Sequence, residues 1–122
     1  MQDDLREVGI ELQVRNYPAK LLFATLAANG VLASGKFDMG LYGWSYTVPD
    51  PDDTSTLGPE SLPSNGVNYA FYVDRQLGEW QRAARSSFDL DVRTRSSMLI
   101  PRRIHDEVPS YTIVCRANVD AV

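Results

Sequence analysis

The sequence is poor in the residues that most catalytic and metal centres require. It contains a single cysteine, Cys115, and a single histidine, His105. One cysteine cannot form an internal disulfide, and neither residue has the Cys or His neighbours of a zinc site. A hydrolytic centre needs a nucleophile and a base within reach of each other, and no such pair is visible. We therefore predict that the protein is not an enzyme and holds no metal and no cofactor. Cys115 is expected to be a small buried core residue and His105 a surface or helix-end residue.

The sequence also lacks a long hydrophobic run and a basic stripe. No stretch of about 18 apolar residues occurs, so nothing has the length of a membrane span. The N-terminus is acidic from its second turn, unlike the basic start of a signal peptide. The net charge is −4, which argues against nucleic acid as a partner. A hydrophobic share of 43% and a charged share of 23% instead indicate one ordinary globular domain over residues 1–122.

Residues 35–53, GKFDMGLYGWSYTVPDPDD, form the stretch around which the rest of the chain is arranged. The apolar run 39–44 has glycine on one side and a segment rich in Pro and Asp on the other. This pattern predicts a buried strand, opened by the turn residue Asp38, that runs out into a loop at Trp44. A large aromatic residue at such a point is typical of a ligand site in an open α/β fold. It is equally typical of a residue that caps the core.

The residues before this stretch predict a helix, a strand and a second helix. Residues 1–8 have the pattern of a helix end. Residues 10–17 alternate apolar and polar side chains, which predicts a strand with one face on the core. A proline opens the helix predicted over residues 18–30, and residues 31–37 are a short connection. Residues 1–44 would then form a βαβ unit with parallel strands and a right-handed crossover.

Residues 45–73 show little periodicity and are rich in proline, which predicts a long functional loop. Its acids Asp50, Asp52 and Asp53 lack the spacing of a calcium-binding loop. Asp52 and Asp53 are instead expected to lead into a short helical turn at Thr54.

Residues 74–122 predict two helices and a final strand. Asp74 suits the N-cap of the first helix, and the second should run from about Asp89 to Asp106. Pro101 should kink this second helix or split it in two. Residues 110–116 are expected to be the final strand. In the first helix, four apolar residues recur at helical spacing and predict a core-facing stripe: Leu77, Trp80, Ala84 and Phe88.

The order and spacing of these segments resemble the C-terminal lobe of the peptide- and nickel-type (family 5) solute-binding proteins of ABC importers. The resemblance rests on Gly-Lys-Phe-Asp-Met, then Gly-Trp, then Asp-Pro-Asp, followed by Asn68-Tyr69 and an Arg-rich helix that leads to Asp-Glu-Val-Pro. It implies an α/β fold with a βαβ unit, two further helices and a final strand, as in part of a two-lobed type II periplasmic-binding-protein fold. It also implies a periplasmic or extracellular cell-surface location. The chain would then be a fragment whose exported N-terminal part lies outside it.

By this resemblance the chain captures a peptide or another small solute in a cleft between two lobes, for delivery to the membrane permease of an ABC importer. The loop after the central strand lies on the cleft side, so the candidate ligand-binding residues are Trp44, Tyr46, Thr47, Asp50 and Tyr69. In dipeptide-binding members, an acid three positions after the Trp pairs with the α-amino group of the ligand. Thr47 stands there in this chain, and a hydroxyl cannot offset a buried ammonium charge. A longer peptide or another solute is therefore supported as well as a dipeptide.

The alternative is a self-associating α/β interaction module without a transport role. A half-cleft would leave apolar surface exposed around Trp44, Tyr46 and Tyr69. Patches of this kind tend to be buried by oligomerisation, which makes a homo-oligomer the expected form of such a module.

Overall fold

The computed structural model describes residues 1–45 and 52–115 of the chain. The regular elements in these residues are helical: α1 (Gln2–Glu7), α2 (Ala19–Leu22), a 3-10 turn (Leu26–Ala28), α3 (Val31–Ser34), α4 (Thr54–Leu57), α5 (Arg75–Ser86) and α6 (Leu90–Glu107). Helices α5 and α6 pack against each other and form a helical hairpin. The other helices are one or two turns long, so this hairpin is the largest regular unit.

The predicted α/β fold is wrong for the part of the chain that the structure describes. Residues 10–17, 39–44 and 110–115 are irregular, and no strand occurs among the described residues. Ile10 and Val14, expected on the core, are about half exposed. An alternating pattern says which face a side chain would take, but a strand forms only where another segment supplies ladder hydrogen bonds. No described segment does so, and therefore neither the βαβ unit nor the final strand of the type II periplasmic-binding-protein lobe is present there.

The helix predicted over residues 18–30 is interrupted. Helix α2 ends at Leu22, and the side chain of Thr25 accepts a hydrogen bond from the N–H of Ala28, 3.3 Å away. A threonine hydroxyl that bonds nearby backbone competes with helix continuation and starts a new cap. The predicted connection over residues 31–37 instead contains α3, which carries the buried Leu32.

The described core consists of two small clusters. The first is built on buried Leu32, Ala33 and Tyr69, with Leu22, Phe37 and Val67 packed against it. The second is built on buried Leu57, Leu77 and Ile100, with Tyr72, Trp80, Ala84 and Ile104 packed against it. Tyr69 belongs to the first cluster and Tyr72 to the second. The short segment between these two tyrosines therefore joins the two clusters.

The apolar stripe of α5 is confirmed for its first three members. Leu77 is fully buried, and Trp80 and Ala84 pack against the second cluster. The prediction is wrong for Phe88, which is fully exposed. Because α5 ends at Ser86, Phe88 lies in the link to α6 and no longer follows the helical period.

Helix α6 has the predicted bounds, and Pro101 lies inside it without splitting it. Ile100 and Ile104, on either side of Pro101, both pack in the second cluster, which also contains side chains of α5. His105 is exposed in the last turn, as predicted. Cys115 is also exposed, so its predicted burial is wrong. The burial of Cys115 was expected from packing on a sheet, and no sheet occurs among the described residues.

Asp74 joins the N-terminus of α5 to α6. Its carboxylate is 9% exposed, and Oδ1 accepts the backbone N–H groups of Gln76 (2.8 Å) and Leu77 (3.1 Å). The other oxygen, Oδ2, accepts Nε of Arg103 (2.6 Å) and the hydroxyl of Tyr72 (3.1 Å). The predicted N-cap is therefore confirmed, and the same group also forms an ion pair between the helices.

These contacts set the pKa of the Asp74 carboxyl. Burial by itself would raise this pKa, but the hydrogen bond from Arg103, with those from Leu77, Tyr72 and Gln76, outweighs burial and lowers the pKa below its ordinary value. A carboxyl with a lowered folded-state pKa stabilises the fold above its unfolded pKa, and this contribution is lost as the pH falls through the folded value.

Asp53 has the opposite behaviour. Gln81 of α5 is buried, and its Nε2 donates a hydrogen bond to Oδ1 of Asp53 at 3.0 Å. The side-chain oxygen of Gln81, Oε1, has no hydrogen-bond partner among the described residues. Burial raises the pKa of Asp53, although the hydrogen bond from Gln81 partly opposes it. Because the pKa is raised, folding favours the neutral form of this carboxyl. The neutral form contributes to stability at low pH, and this contribution is lost as the pH rises through the folded-state pKa.

We predict that Asp74→Ala destabilises the fold more than Asp89→Ala. Asp89 is the matched control because it also caps a helix, accepting the N–H groups of Asp91 and Val92. Losing a carboxylate cap costs about 1 kcal/mol, and Asp74→Ala also removes the acceptor of Arg103 Nε. Urea denaturation at pH 7 measures both losses. The difference between wild type and Asp74→Ala should shrink below about pH 4. Equal losses at pH 7 would show that Asp74 is only a cap.

We predict that Asp53→Asn raises the free energy of unfolding at pH 7 by about 1 kcal/mol, since the new amide can donate to the unpartnered Oε1 of Gln81. In wild type, the free energy of unfolding should fall as the pH rises from about 4, because Asp53 ionises. Asp53→Asn should remove this pH dependence. Urea denaturation between pH 4 and pH 8 gives both quantities. The control is Glu60→Gln, which removes an exposed carboxylate that pairs with Arg82. A fall in stability for Asp53→Asn at pH 7 would contradict the assignment.

Candidate functional site

The candidate site is positioned by the buried side chain of Asn68. Its Nδ2 donates hydrogen bonds to the carbonyl oxygens of Gly58 (3.0 Å) and Tyr72 (2.8 Å), and its Oδ1 accepts the N–H of Tyr72 (3.3 Å). Its own backbone N–H donates to the carbonyl of Ser61 at 2.8 Å. A fully buried amide with all these partners fixes the chain on either side of it. We call this set of four hydrogen bonds the Asn68 clamp.

The Asn68 clamp encloses a strained residue. Phe71 has a positive φ of 52°, a left-handed conformation that costs a side-chain-bearing residue about 1–2 kcal/mol. Its N–H donates to the carbonyl of Asn68 at 3.2 Å, within the turn that the clamp closes. The ring of Phe71 lies against Gly35, where an added Cβ would come within 2.9 Å of it. The clamp therefore holds a tight turn against α3 at some cost in backbone strain.

Tyr69, the neighbour of Asn68, belongs to a cluster of three aromatic rings. Its ring centroid is 5.9 Å from that of Tyr42, with an interplanar angle of 84°, and 6.5 Å from that of Phe23. The rings of Phe23 and Tyr42 are 5.8 Å apart at 88°. Edge-to-face pairs of this geometry contribute about 0.5–1.5 kcal/mol each. The cluster brings together Phe23, which directly follows α2, Tyr42 from the segment before Trp44, and Tyr69 from the clamped turn.

An open depression of about 400 Å³ lies beside these rings. Tyr69, 7% exposed, is its most buried lining residue, while Trp44 is 46% exposed and Phe23 is 37% exposed. Gly43 and Ser45 are the other lining residues in the described part of the chain, and none of these five residues carries a charge. The volume is within the range of small-molecule sites, which are mostly apolar with a few polar groups.

The structure brings together two of the five residues selected from the sequence. Trp44 and Tyr69 line the same depression, and their role in binding stays a prediction. The other three, Tyr46, Thr47 and Asp50, lie outside the described residues.

Sequence reasoning missed Phe23 and Tyr42. Phe23 was assigned to a helix and Tyr42 to a buried strand, whereas each is more than one-third exposed. Both are aromatic, like Trp44 and Tyr69, and this shared character was the signal in the sequence that they could belong to the same site. Only the three-dimensional contacts show that the rings meet.

The acids that follow the depression in sequence have a structural role in the described region. Asp52 Oδ1 accepts the N–H of Thr54 at 3.0 Å and also its hydroxyl, at the start of α4. The short helical turn predicted here is therefore confirmed. Across residues 1–45 and 52–115, no group of three or more His, Cys, Asp or Glu is placed to hold a metal ion. No helix in these residues has both the length and the apolar character needed to cross a membrane.

The chain is 31% identical over 112 residues to the di/tripeptide-binding protein 2 of Pseudomonas aeruginosa (strain UCBPP-PA14). The similar region covers 89% of this chain and 20% of that protein, so the chain spans about a fifth of the length of the curated relative. No protein-family model matches the chain, and no solved structure matches it significantly. The comparison supports a relationship between this chain and part of a peptide-binding protein.

We predict that Asn68→Ala lowers the free energy of unfolding by about 1–3 kcal/mol, since buried carbonyl and N–H groups lose their partner. It should also weaken the near-ultraviolet circular dichroism of the aromatic rings, because Tyr69 is no longer held. The matched control is Asn65→Ala, an exposed asparagine in the same loop. Chemical denaturation and circular dichroism measure the two effects. A loss no larger than that of Asn65→Ala would contradict a positioning role for the clamp.

Proposed function

We propose that the chain is part of a peptide-type solute-binding protein and supplies one aromatic wall of its ligand site. The observation that carries this proposal is the coincidence of two features. The chain is similar over most of its length to a di/tripeptide-binding protein, and its predicted ligand residues Trp44 and Tyr69 share one depression. In the intact protein, a second lobe would close over the ligand outside the cytoplasm, and the permease of an ABC importer would receive it.

The chemistry of the depression suits a peptide. Aromatic side chains cover variable side chains of a ligand with a small loss of their own conformational entropy. Gly43 is exposed and has no side chain, so its backbone groups are accessible to the main chain of a ligand, as is the hydroxyl of Ser45. Main-chain hydrogen bonds supply affinity that is independent of the ligand sequence.

The proposed function is binding without chemistry. Neither His105 nor Cys115 lines the depression. The polar side-chain groups of its five described lining residues are the hydroxyls of Ser45 and Tyr69 and the indole N–H of Trp44. A hydroxyl nucleophile requires an adjacent base, which none of these five residues supplies.

Self-association is the second candidate function, favoured by exposed apolar surface. Large apolar side chains outside the depression are exposed in the described part of the chain, such as Phe88, Leu90 and Met98. A second copy or a second lobe could each cover them. Sedimentation that depends on protein concentration without peptide would favour self-association, and a monomer would favour the lobe.

We predict that di- and tripeptides raise the thermal stability of the chain in a dose-dependent manner. A ligand at a hundred times its dissociation constant adds about 2.7 kcal/mol to the free energy of unfolding. The increase should disappear in Trp44→Ala and persist in Phe88→Ala, which removes an exposed aromatic residue outside the depression. A thermal-shift titration measures it. A cooperatively melting protein that shows no shift with any peptide would contradict binding by this chain.

A further inference from the structure

We infer that the depression beside Tyr69 binds an uncharged aromatic or bulky aliphatic side chain of the ligand. This inference rests on the proposed function and adds the class of peptide. The chain would select peptides by an apolar side chain, rather than by pairing this site with a charged group.

The lining residues carry the first step. Three of the five are aromatic, and the others are Gly43 and Ser45. A carboxylate group that entered the depression would lose water without gaining an opposite charge from these residues, which is unfavourable. An ammonium group would gain only the faces of the aromatic rings, which attract a cation weakly in an exposed site. An apolar group would instead replace water against the rings of Phe23 and Trp44, both partly exposed.

The size of the depression carries the second step. A volume of about 400 Å³ lies near the lower end of the range for small-molecule sites. Because the depression is also open, it suits one side chain whose backbone continues across the surface. The depression therefore has room for even the largest side chain, with the rest of the ligand in contact with other parts of the intact protein.

The Asn68 clamp carries the third step. Tyr69 is the most buried lining residue, and it adjoins a side chain whose hydrogen bonds fix the turn. Its ring is also held by those of Phe23 and Tyr42. A lining residue that is held in place before binding, as Tyr69 is, loses little conformational entropy on binding. Asn68 is thus a positioning residue for side-chain selectivity.

Gly43 offers a way to block the depression without disturbing the fold. A Cβ added at Gly43 would meet no atom within 4 Å. The residue also lines the depression, so a leucine side chain at this position would compete with the ligand for the same space. Gly43→Leu should therefore keep the melting temperature of wild type and lose the side-chain preference.

The test is isothermal titration of the whole chain with dipeptides that differ in one side chain. Ala-Phe and Ala-Leu should bind at least about tenfold more tightly than Ala-Ala, since apolar groups of this size discriminate by such factors. Ala-Glu and Ala-Lys should bind no more tightly than Ala-Ala. Gly43→Leu should reduce the ratio of Ala-Phe to Ala-Ala affinity towards one. Phe88→Ala, outside the depression, should leave the ratio unchanged.

A second pair of probes separates this inference from the proposed function. N-acetyl-phenylalanine amide and N-acetyl-alanine amide carry the same side chains without charged ends. A preference for the phenylalanine amide, lost in Gly43→Leu, would support the apolar site even if no dipeptide bound, and would then contradict the peptide function. Equal dipeptide affinities would overturn the apolar site and leave the peptide function standing. No binding of any probe would overturn both.

Discussion

The structure depends on the hydrogen bonds of one buried amide. Asn68 holds Gly58 and Tyr72, which lie beside the cluster of the helical hairpin. Its neighbour Tyr69 belongs to the other cluster, with Leu32. Neither cluster has more than a few buried residues, so the link between them matters more than it would in a large core. A buried amide with satisfied donors and acceptor specifies one arrangement, because any other leaves polar groups without partners.

The hairpin of α5 and α6 gives this link a rigid base. Asp74 caps α5 and pairs with Arg103, while the hydroxyl of Tyr72 donates to the same carboxylate. Tyr72 is also a partner of Asn68 in the clamp. A continuous path of hydrogen bonds therefore runs from α6 to the turn that carries Tyr69. A site on a loop gains rigidity when a regular element supports it in this way.

The parts of the fold that the sequence predicts are those set by neighbours along the chain. The cap of Asp74 and the bounds of α6 follow from contacts within a few residues. The burial of Leu77 is predicted by the helical spacing of apolar residues along α5. The strands were predicted wrongly because pairing requires a distant segment, and an alternating pattern does not say whether one is present. Cys115 was placed in the core by the same reasoning and is exposed.

The site shows the same division between local and long-range information. Trp44 and Tyr69 were selected by resemblance to a family, and they line one depression. Phe23 and Tyr42 were missed because their contacts with Tyr69 join residues that are far apart in sequence. Aromatic composition alone does not reveal which rings meet. The order of the motifs indicated which family of proteins the chain resembles. The arrangement of the aromatic rings could be seen only in the structure.

The central claim is that this wall binds an apolar side chain of a peptide, and the fluorescence of Trp44 tests it most directly. Trp80→Phe removes the only other tryptophan, which lies on α5. Titration of this variant with Ala-Phe should shift the emission to shorter wavelength and reach saturation, because Trp44 is 46% exposed before binding. Ala-Ala at the same concentrations should produce a much smaller change. Emission that stays constant through the Ala-Phe titration would contradict the account.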